Sequence, residues 1–172
     1  SITTAEKRGI DGCFSCALNK EEFLDILVEK YNLNVQIVTS DEEAELIYTG
    51  VRKAVLLNSE TICILDIGGG SNELIIANNE KIFWKHSFNL GIARLLERFK
   101  PSDPITHEEI EVITTYCETE LSPFFQALKE FPTTKLIGAS GSFETYISMI
   151  LYDKYGNDEL LKTNTSLEIL KE

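Results

Sequence analysis

The stretch LDIGGGSNEL, residues 65–74, decides how the rest of the chain is interpreted. It places three glycines between Asp66 and Ser71, after the apolar run TICILDI (61–67) and shortly before a second acid, Glu73. Glycines after a buried strand let the backbone turn tightly and bring successive N–H groups close to a ligand, and such concave clusters bind phosphate oxygens. The stretch therefore predicts a strand, an anion-binding turn and a second strand.

The polar side chains around this turn suit phosphate chemistry. Asp66, at the end of the first strand, is a candidate ligand for a divalent cation, which in the case of Mg²⁺ usually keeps several waters. Glu73 points to the same side as Ser71 and is placed to orient or deprotonate a water. The alternative is a plain hairpin turn, with Asp66 capping its own backbone and Glu73 exposed to solvent. The candidate phosphate-binding residues of this turn are Gly68, Gly69, Gly70 and Ser71.

A second glycine-rich turn, LIGASGSFETY (136–146), has the same order of strand, small residues and helix. The N–H groups that open such a helix favour a phosphate group or the phosphate edge of a nucleotide. Neither turn is a Walker loop or the GxGxxG dinucleotide fingerprint. The candidate phosphate-binding residues of the second turn are Gly138, Ser140, Gly141 and Ser142.

Composition limits the classes of partner. The 172 residues, 43% of them hydrophobic, suffice for one domain or for one domain plus part of another. The net charge of -12 argues against binding of nucleic-acid polymers, because the averaged field repels polyanions. No apolar run reaches the length of a membrane span, and the opening SITTAEKRGIDG lacks the apolar segment of a secretory signal. We therefore expect a cytoplasmic protein with no membrane partner.

The periodicity of apolar residues predicts a mixed α/β chain. Apolar residues at helical spacing indicate helices at KEEFLDILVEKY, SDEEAELIYTGVRKAVL, LGIARLLERF, SGSFETYISMIL and a long segment that begins at a Thr106–Glu109 capping box, with a break expected at Pro123. Strands are expected at NVQIV (34–38), TICILDI, NELIIA, KIFWKHSF and TKLIGA, with a polar loop at YDKYGNDELLKTNT. Three consecutive strands joined by short turns predict an antiparallel meander within an α/β layered domain.

Four segments together carry a resemblance to a known family. TSDEEAELIYTGV, LDIGGGSNEL, FNLGIARLLERF and IGASGSFETY, in this order and at this spacing, resemble the exopolyphosphatase/guanosine pentaphosphate phosphatase (Ppx/GppA) family of the actin-like ATPase superfamily. The matching segments cover residues 35–150. The resemblance implies a ribonuclease-H-like lobe, with the three-strand meander in a mixed sheet flanked by helices. It divides the chain into 1–40, a remnant of the first lobe with a helix and a strand, and 41–172, a second lobe truncated at its C-terminus.

The resemblance also implies a reaction and a set of residues. In the family a phosphate chain lies in a cleft and a water attacks its terminal phosphorus, usually with Mg²⁺, so the implied substrates are inorganic polyphosphate or guanosine pentaphosphate. Such chemistry needs a positioned water and a metal that offsets charge on the transferred group. The family motifs match catalytic roles to Glu43 and Glu73 and metal binding to Asp66 and Glu73. Whether the protein forms a homodimer is left open by the resemblance.

Several alternatives stay beside this hypothesis. SDEE also fits a capping box, with Ser40 as N-cap and Glu43 as its partner, so Glu43 is either catalytic or a helix cap. Arg94 is either a phosphate ligand or an arginine on a helix surface. For the whole chain the alternatives are a non-catalytic phosphate- or nucleotide-binding module and an actin-like kinase. The pair Glu43 and Glu73 favours hydrolysis over transfer.

The chain departs from the family pattern at both ends. Nothing in residues 1–34 supplies the phosphate turn with which the first lobe opens, and CFSC stands where the family usually has an arginine before the segment matching ALNKEEFL. The rest of the second lobe is missing behind Thr165. We therefore expect the 172 residues alone to have little or no phosphatase activity.

Overall fold

The structure, a computed structural model, describes residues 20–33 and 35–155. Helices and strands are mixed along the chain in the predicted manner. The helices are α1 (Lys20–Tyr31), α2 (Ser40–Ala54), α3 (Ile92–Phe99), α4 (His107–Glu120), α5 (Ser122–Glu130) and α6 (Gly141–Tyr155). The strands are β1 (Ile62–Ile67), β2 (Asn72–Ala77), β3 (Ile82–Phe88) and β4 (Leu136–Gly138).

The strands form one mixed sheet in the order β3-β2-β1-β4. β1, β2 and β3 pair antiparallel in sequence, whereas β4 pairs parallel to β1. The turn between β2 and β3 is held by Asn78, whose Oδ1 accepts from Glu80 N at 2.9 Å and Lys81 N at 3.0 Å. Asparagine favours such turns because its side chain can accept from the backbone shortly after it. The predicted meander and mixed sheet are confirmed.

Helices cover both faces of the sheet, because alternate side chains of each strand point to opposite sides. On one face, α2 packs its buried residues Ala44, Tyr48 and Val51 against the sheet. The sheet residues in that cluster are Ile62, Ile64, Ile75 and Ala77. The other face carries Cys63, Leu74 and Phe88, which pack with Leu90 against partly buried residues of α3, α4 and α5. Asp66 and Glu73 continue the series on the α2 face.

A tyrosine is part of the core between α2 and the sheet. Tyr48 is 7% exposed, and its hydroxyl donates to the carbonyl of Asn78 at 2.9 Å. A buried tyrosine hydroxyl needs such a partner. The bond to the turn after β2 also fixes the position of α2 relative to the sheet.

The predicted strand at 34–38 is wrong over its described residues, since 35–39 have no strand structure. A strand needs a neighbour for its N–H and C=O groups, and residues 35–39 pair with none of the four described strands. The predicted polar loop from residue 152 is also partly wrong, because α6 continues to Tyr155. The sequence has no glycine or proline there until Gly156, so nothing stops the helix earlier. The rest of that loop lies outside the described residues.

The start of α2 differs from the expected capping box. The N-cap is Thr39, not Ser40: Thr39 N donates to Glu42 Oε2 at 2.8 Å, and Glu42 N donates to Thr39 Oγ1 at 3.2 Å. The sequence TSDEE contains two overlapping matches to the capping pattern, and the chain uses the earlier one. The capping interpretation of Glu43 is therefore wrong.

The helical segment after residue 105 follows the prediction. Thr106 and Glu109 form the expected capping box at the start of α4. The helix ends at Glu120, and α5 begins at Ser122 with the proline in its first turn. Proline is tolerated there because the first N–H groups of a helix have no intrahelical acceptor. The expected break at Pro123 is confirmed.

Candidate functional site

The site begins at the hairpin between β1 and β2. Ile67 pairs with Asn72, and Gly68 N donates to Ser71 O at 2.9 Å, which closes the glycine loop 68–71. The antiparallel register then places Asp66 directly opposite Glu73. Glu73 is only 2% exposed. The short loop thus sets two carboxylates side by side at its base, on the face of the sheet that α2 covers.

The carbonyl groups of the glycine loop point toward α3. The N-cap of α3, Gly91, has no side-chain cap, so the first N–H groups of the helix need other acceptors. The loop supplies them: Ile92 N donates to Gly68 O at 3.1 Å, Ala93 N to Gly69 O at 2.9 Å, and Arg94 Nε to Gly70 O at 2.7 Å. Three successive carbonyls are therefore fixed by one helix.

The N–H groups of the same loop have a different environment. Those of Gly69, Gly70 and Ser71 donate to no backbone carbonyl within the described ranges. A loop whose carbonyls are fixed on one side and whose successive N–H groups are left without backbone acceptors is suited to binding an anion. Arg94, proposed from the sequence as a phosphate ligand or a surface arginine, is half-buried and supports the loop through Gly70.

Gly91 is a residue of the site that the sequence interpretation missed. A Cβ atom at Gly91 would lie 2.4 Å from the backbone carbon and oxygen of Gly69 and from the carbon of Gly70. Glycine is therefore required for α3 to approach the loop this closely. The signal was present in NLGIAR, where a glycine directly precedes a helix, but the partners it approaches, Gly69 and Gly70, lie more than twenty positions earlier in the chain.

The second glycine-rich turn docks on the end of β1. Ala139 N donates to Leu65 O at 3.0 Å, Ile67 N to Ser140 Oγ at 3.1 Å, and Ser142 Oγ to Ile67 O at 3.3 Å. Because β4 runs parallel to β1, the start of α6 comes to the same end of the sheet as the glycine loop. The two predicted phosphate-binding turns are thus neighbours.

The residues of the second turn have individual structural roles. The hydroxyls of Ser140 and Ser142 join the turn to the backbone of β1. A Cβ atom at Gly138 would lie 2.1–2.5 Å from the ring of Phe143, so this glycine makes room for that ring. Gly141 opens α6, and a Cβ atom there would meet nothing within 4 Å. Their phosphate-binding roles stay predictions.

The two carboxylates at the base of the loop affect each other. Glu73 Oε1 accepts a hydrogen bond from Ser87 Oγ on β3 at 2.7 Å. Burial raises the pKa of Asp66 above its usual value, the negative charge of Glu73 raises it further, and a hydrogen bond with Ser140 opposes both effects. Two acids held this close suit a cation or a proton between them.

Glu43 lies in the first turn of α2, on the side of the helix that faces the sheet. It is half-buried and precedes the buried Ala44, and Ile47, one turn further on, packs against the same core. The capping interaction belongs to the neighbouring Glu42. Glu43 thus lies in the layer between α2 and the sheet face that carries Asp66 and Glu73.

The donor set around the loop fits Mg²⁺. Within residues 20–33 and 35–155, no group of three or more His, Cys, Asp and Glu side chains could hold a metal ion. Mg²⁺ does not require one, because it usually keeps several waters and binds through one or two carboxylates together with substrate phosphates. Asp66 and Glu73, in register and close to the proposed phosphate site, provide such a pair.

None of the helices in the described ranges is long and apolar enough to cross a lipid bilayer.

Comparison with known proteins agrees with this geometry. The model of the Ppx/GppA phosphatase family matches residues 16–169. An exopolyphosphatase from Cytophaga hutchinsonii is 32% identical, with a TM-score of 0.85 over 94% of this chain and 51% of that chain. The PPX-GPPA enzyme of Aquifex aeolicus is 28% identical, with a TM-score of 0.69 over 90% of this chain and 50% of that chain. This chain spans about half the length of these two proteins. It belongs to the Ppx/GppA phosphatase family, and its described part has the expected actin-like ATPase, ribonuclease-H-like lobe.

Proposed function

We propose that the protein containing these residues hydrolyses phosphoanhydride bonds and removes the terminal phosphate from inorganic polyphosphate or guanosine pentaphosphate. The observation that carries the proposal is the pair Asp66 and Glu73, in register at the base of a glycine loop whose carbonyls are fixed by α3. Membership of a phosphatase family and the likeness to a protein described as an exopolyphosphatase support it.

The glycine loop binds the end of the phosphate chain. The N–H groups of Gly69, Gly70 and Ser71 donate to phosphate oxygens, and the start of α6 after Ser140 adds further donors from the second turn. This local capture is needed because the chain as a whole carries a net charge of -12 and repels a polyanion. Since the loop carbonyls are held by α3, little reorganisation is required when the substrate binds.

A glutamate then activates the attacking water. Glu43 or Glu73 accepts a proton from the water, the water oxygen forms a bond to the terminal phosphorus, and the anhydride bond to the next phosphate breaks. The products are inorganic phosphate and a phosphate chain one unit shorter. Asp66 and Glu73 would hold Mg²⁺ at this position, and the ion would neutralise charge on the transferred group.

The experiment that tests the assignment uses the intact protein that contains these residues and measures phosphate release from polyphosphate and, separately, from guanosine pentaphosphate. We expect Glu43→Gln and Glu73→Gln each to lower the rate by about a hundredfold or more, the usual scale for loss of a general base. Glu42→Gln is the matched control, because Glu42 is the exposed neighbour that caps α2, and its rate should stay close to that of the unmodified chain.

The outcomes separate the candidate functions. If both variants fold normally and keep their rates, the catalytic assignment of Glu43 and Glu73 is wrong. If the unmodified protein releases no phosphate from either substrate, a non-catalytic phosphate-binding module fits better. Comparison of the two substrates identifies the one preferred. For residues 1–172 alone we propose little or no turnover, because a clamp-like site needs groups from both lobes. Phosphate release by this piece at the rate of an intact family member would contradict that.

A further inference from the structure

Lys85 lies on β3 and points to the face of the sheet that α2 covers. It pairs in register with Ile75, which belongs to the core under α2. Its side chain is 20% exposed, although it carries a charge. Two residues further along the same strand and on the same face, Ser87 donates to Glu73. Strand β3 therefore carries Ser87, which is the hydrogen-bond partner of Glu73. It also carries Lys85, which reaches toward α2, the helix that contains Glu43.

The ammonium group of Lys85 contacts α2 at two positions near the start of the helix. Lys85 Nζ donates to the carbonyl of Asp41 at 3.1 Å and to Glu45 Oε1 at 2.8 Å, with Asp41 Oδ1 at 3.6 Å. These partners lie on either side of Glu43 in the sequence, separated by about one helical turn. Two contacts one turn apart resist rotation of the helix about its axis, and this rotation decides where the side chain of Glu43 points.

Helix stability alone does not account for a lysine in this place. The N-terminal end of a helix carries partial positive charge, so a cation is unfavourable there, and the acids Asp41, Glu42 and Glu43 already complement that end. The side chains of Asp41 and Glu45 are 83% and 65% exposed, which makes their ion pairs with Lys85 weak contributors to folding. The contacts of Lys85 with Asp41 and Glu45 therefore fix the orientation of α2 more than they contribute to the free energy of folding.

We infer that Lys85 is a positioning residue, which holds the first turn of α2 so that Glu43 faces the site of Asp66 and Glu73. This inference rests on the proposed catalytic role of Glu43. The capping box of Thr39 and Glu42 satisfies the N–H groups at the end of the helix, whereas Lys85 binds the turn from the sheet and sets its direction. The reaction then depends on a residue that touches neither substrate nor water.

The test is Lys85→Met in the intact protein that contains these residues, with phosphate release from polyphosphate as the readout. We expect kcat to fall about tenfold or more, since small misplacements of a catalytic group cost up to about a hundredfold, while KM changes little. Lys85→Arg, which keeps the charge, should recover part of the rate. Lys81→Met is the matched control: Lys81 precedes the same strand, is exposed, and its ammonium lies over the ring of Phe83 at 5.0 Å, so its rate should not change.

A double-mutant comparison provides a readout that a merely structural role would not produce. In a chain that already carries Glu43→Gln, the added Lys85→Met should cause no further fall in kcat, because there is no longer a base to position. If the two losses multiply, Lys85 does not act through Glu43 and the inference is wrong. A rise in KM at constant kcat would also overturn it, since Lys85 would then bind the substrate itself.

Failure of this inference is distinguishable from failure of the proposed function. If Glu73→Gln removes activity but Glu43→Gln or Lys85→Met does not, hydrolysis stands and the positioning role is wrong. If neither glutamate variant has an effect, the assignment of both glutamates is wrong, and the proposed function itself is wrong if the unmodified protein releases no phosphate from either substrate. Should Lys85→Met fail to fold, Glu45→Gln tests the same contact from its exposed side, where we expect a smaller fall in kcat that again disappears in the Glu43→Gln chain.

Discussion

Asp66 lies directly opposite Glu73 across the β1–β2 pair, so two acids occupy neighbouring positions on one face of the sheet. Like charges directly opposite each other destabilise an antiparallel pair, and side chains in such pairs are close enough to interact. Burial and the charge of Glu73 both raise the pKa of Asp66. This arrangement weakens the fold, and the cation-binding role that we propose for the pair would explain why it is present.

Replacing Asp66 by Asn should stabilise the full chain at neutral pH. A raised carboxyl pKa means that the folded state holds its proton more tightly than the unfolded state, so stability falls as pH rises through that pKa. Asp66→Asn removes this penalty and keeps an acceptor for Ser140. We expect a gain on the order of 1 kcal/mol at pH 7, the scale of a cross-strand charge pair.

The gain should shrink as the pH is lowered and vanish below about 3.9, where aspartate is protonated in both states. Chemical denaturation at several pH values measures it. Asp153→Asn, at an exposed position in the last turn of α6, is the control and should show a much smaller trend, because the helix dipole acts only weakly on an exposed group. A stability difference that is constant with pH would show that the charge of Asp66 is not its cause.

Gly91→Ala should displace the glycine loop. The added Cβ atom would lie 2.4 Å from backbone atoms of Gly69 and Gly70, which cannot move aside as a flexible side chain can. We expect a loss of about 1–3 kcal/mol, the usual cost of overpacking, together with weaker binding of inorganic phosphate. Thermal unfolding and calorimetric titration with phosphate measure the two effects.

Gly50→Ala is the matched control for this substitution. Gly50 lies inside α2, and a Cβ atom there would meet nothing within 4 Å. Alanine has the higher helix propensity, so this variant should gain about 0.5–1 kcal/mol. Equal effects of the two substitutions would mean that close approach of α3 to the loop is not what requires Gly91.

Ser87→Ala should destabilise the chain through Glu73. Ser87 Oγ donates to Glu73 Oε1 at 2.7 Å, and Glu73 is 2% exposed, so water cannot readily replace the lost donor. A hydrogen bond to a charged group contributes about 1.5–3 kcal/mol, and we expect a loss of this size in urea unfolding at pH 7. Ser87→Thr keeps the hydroxyl on a β-branched residue suited to a strand and should lose much less. If both variants behave alike, the hydroxyl is not the relevant group.

Thr39→Ala should destabilise α2, whereas Ser40→Ala should not. Thr39 is the N-cap that accepts from Glu42 N, and loss of such a cap costs about 1 kcal/mol. The backbone N–H and the hydroxyl of Thr39 lower the pKa of Glu42, so the contribution of this contact is present at neutral pH and is lost as pH falls through that lowered pKa. Circular dichroism during thermal unfolding at pH 7 measures both variants. A larger loss for Ser40→Ala would restore the capping interpretation of Glu43.

Local patterns in the sequence determined most of the described elements. The apolar, β-branched runs around residues 61–88 and the short polar turns between them predicted the meander, because a strand's period of two and a tight turn are local properties. The capping box at Thr106 and the break at Pro123 depend on residues three or four positions apart and were also predictable. The pairing of Asp66 with Glu73 follows from a loop short enough to set the register.

Tertiary structure decided what surrounds the loop. Two capping patterns overlap in TSDEE, and packing of Ala44 and Tyr48 on the sheet selects one of them, which assigns the cap to Glu42 and leaves Glu43 on the sheet-facing side. The support of Gly70 by Arg94 and of Glu73 by Ser87 joins residues 24 and 14 positions apart. Such contacts depend on how helices pack on a sheet, and no local periodicity encodes them. The glycine turn was therefore visible in the sequence, whereas the helix that supports its carbonyls and the strand that supports Glu73 appeared only in the folded chain.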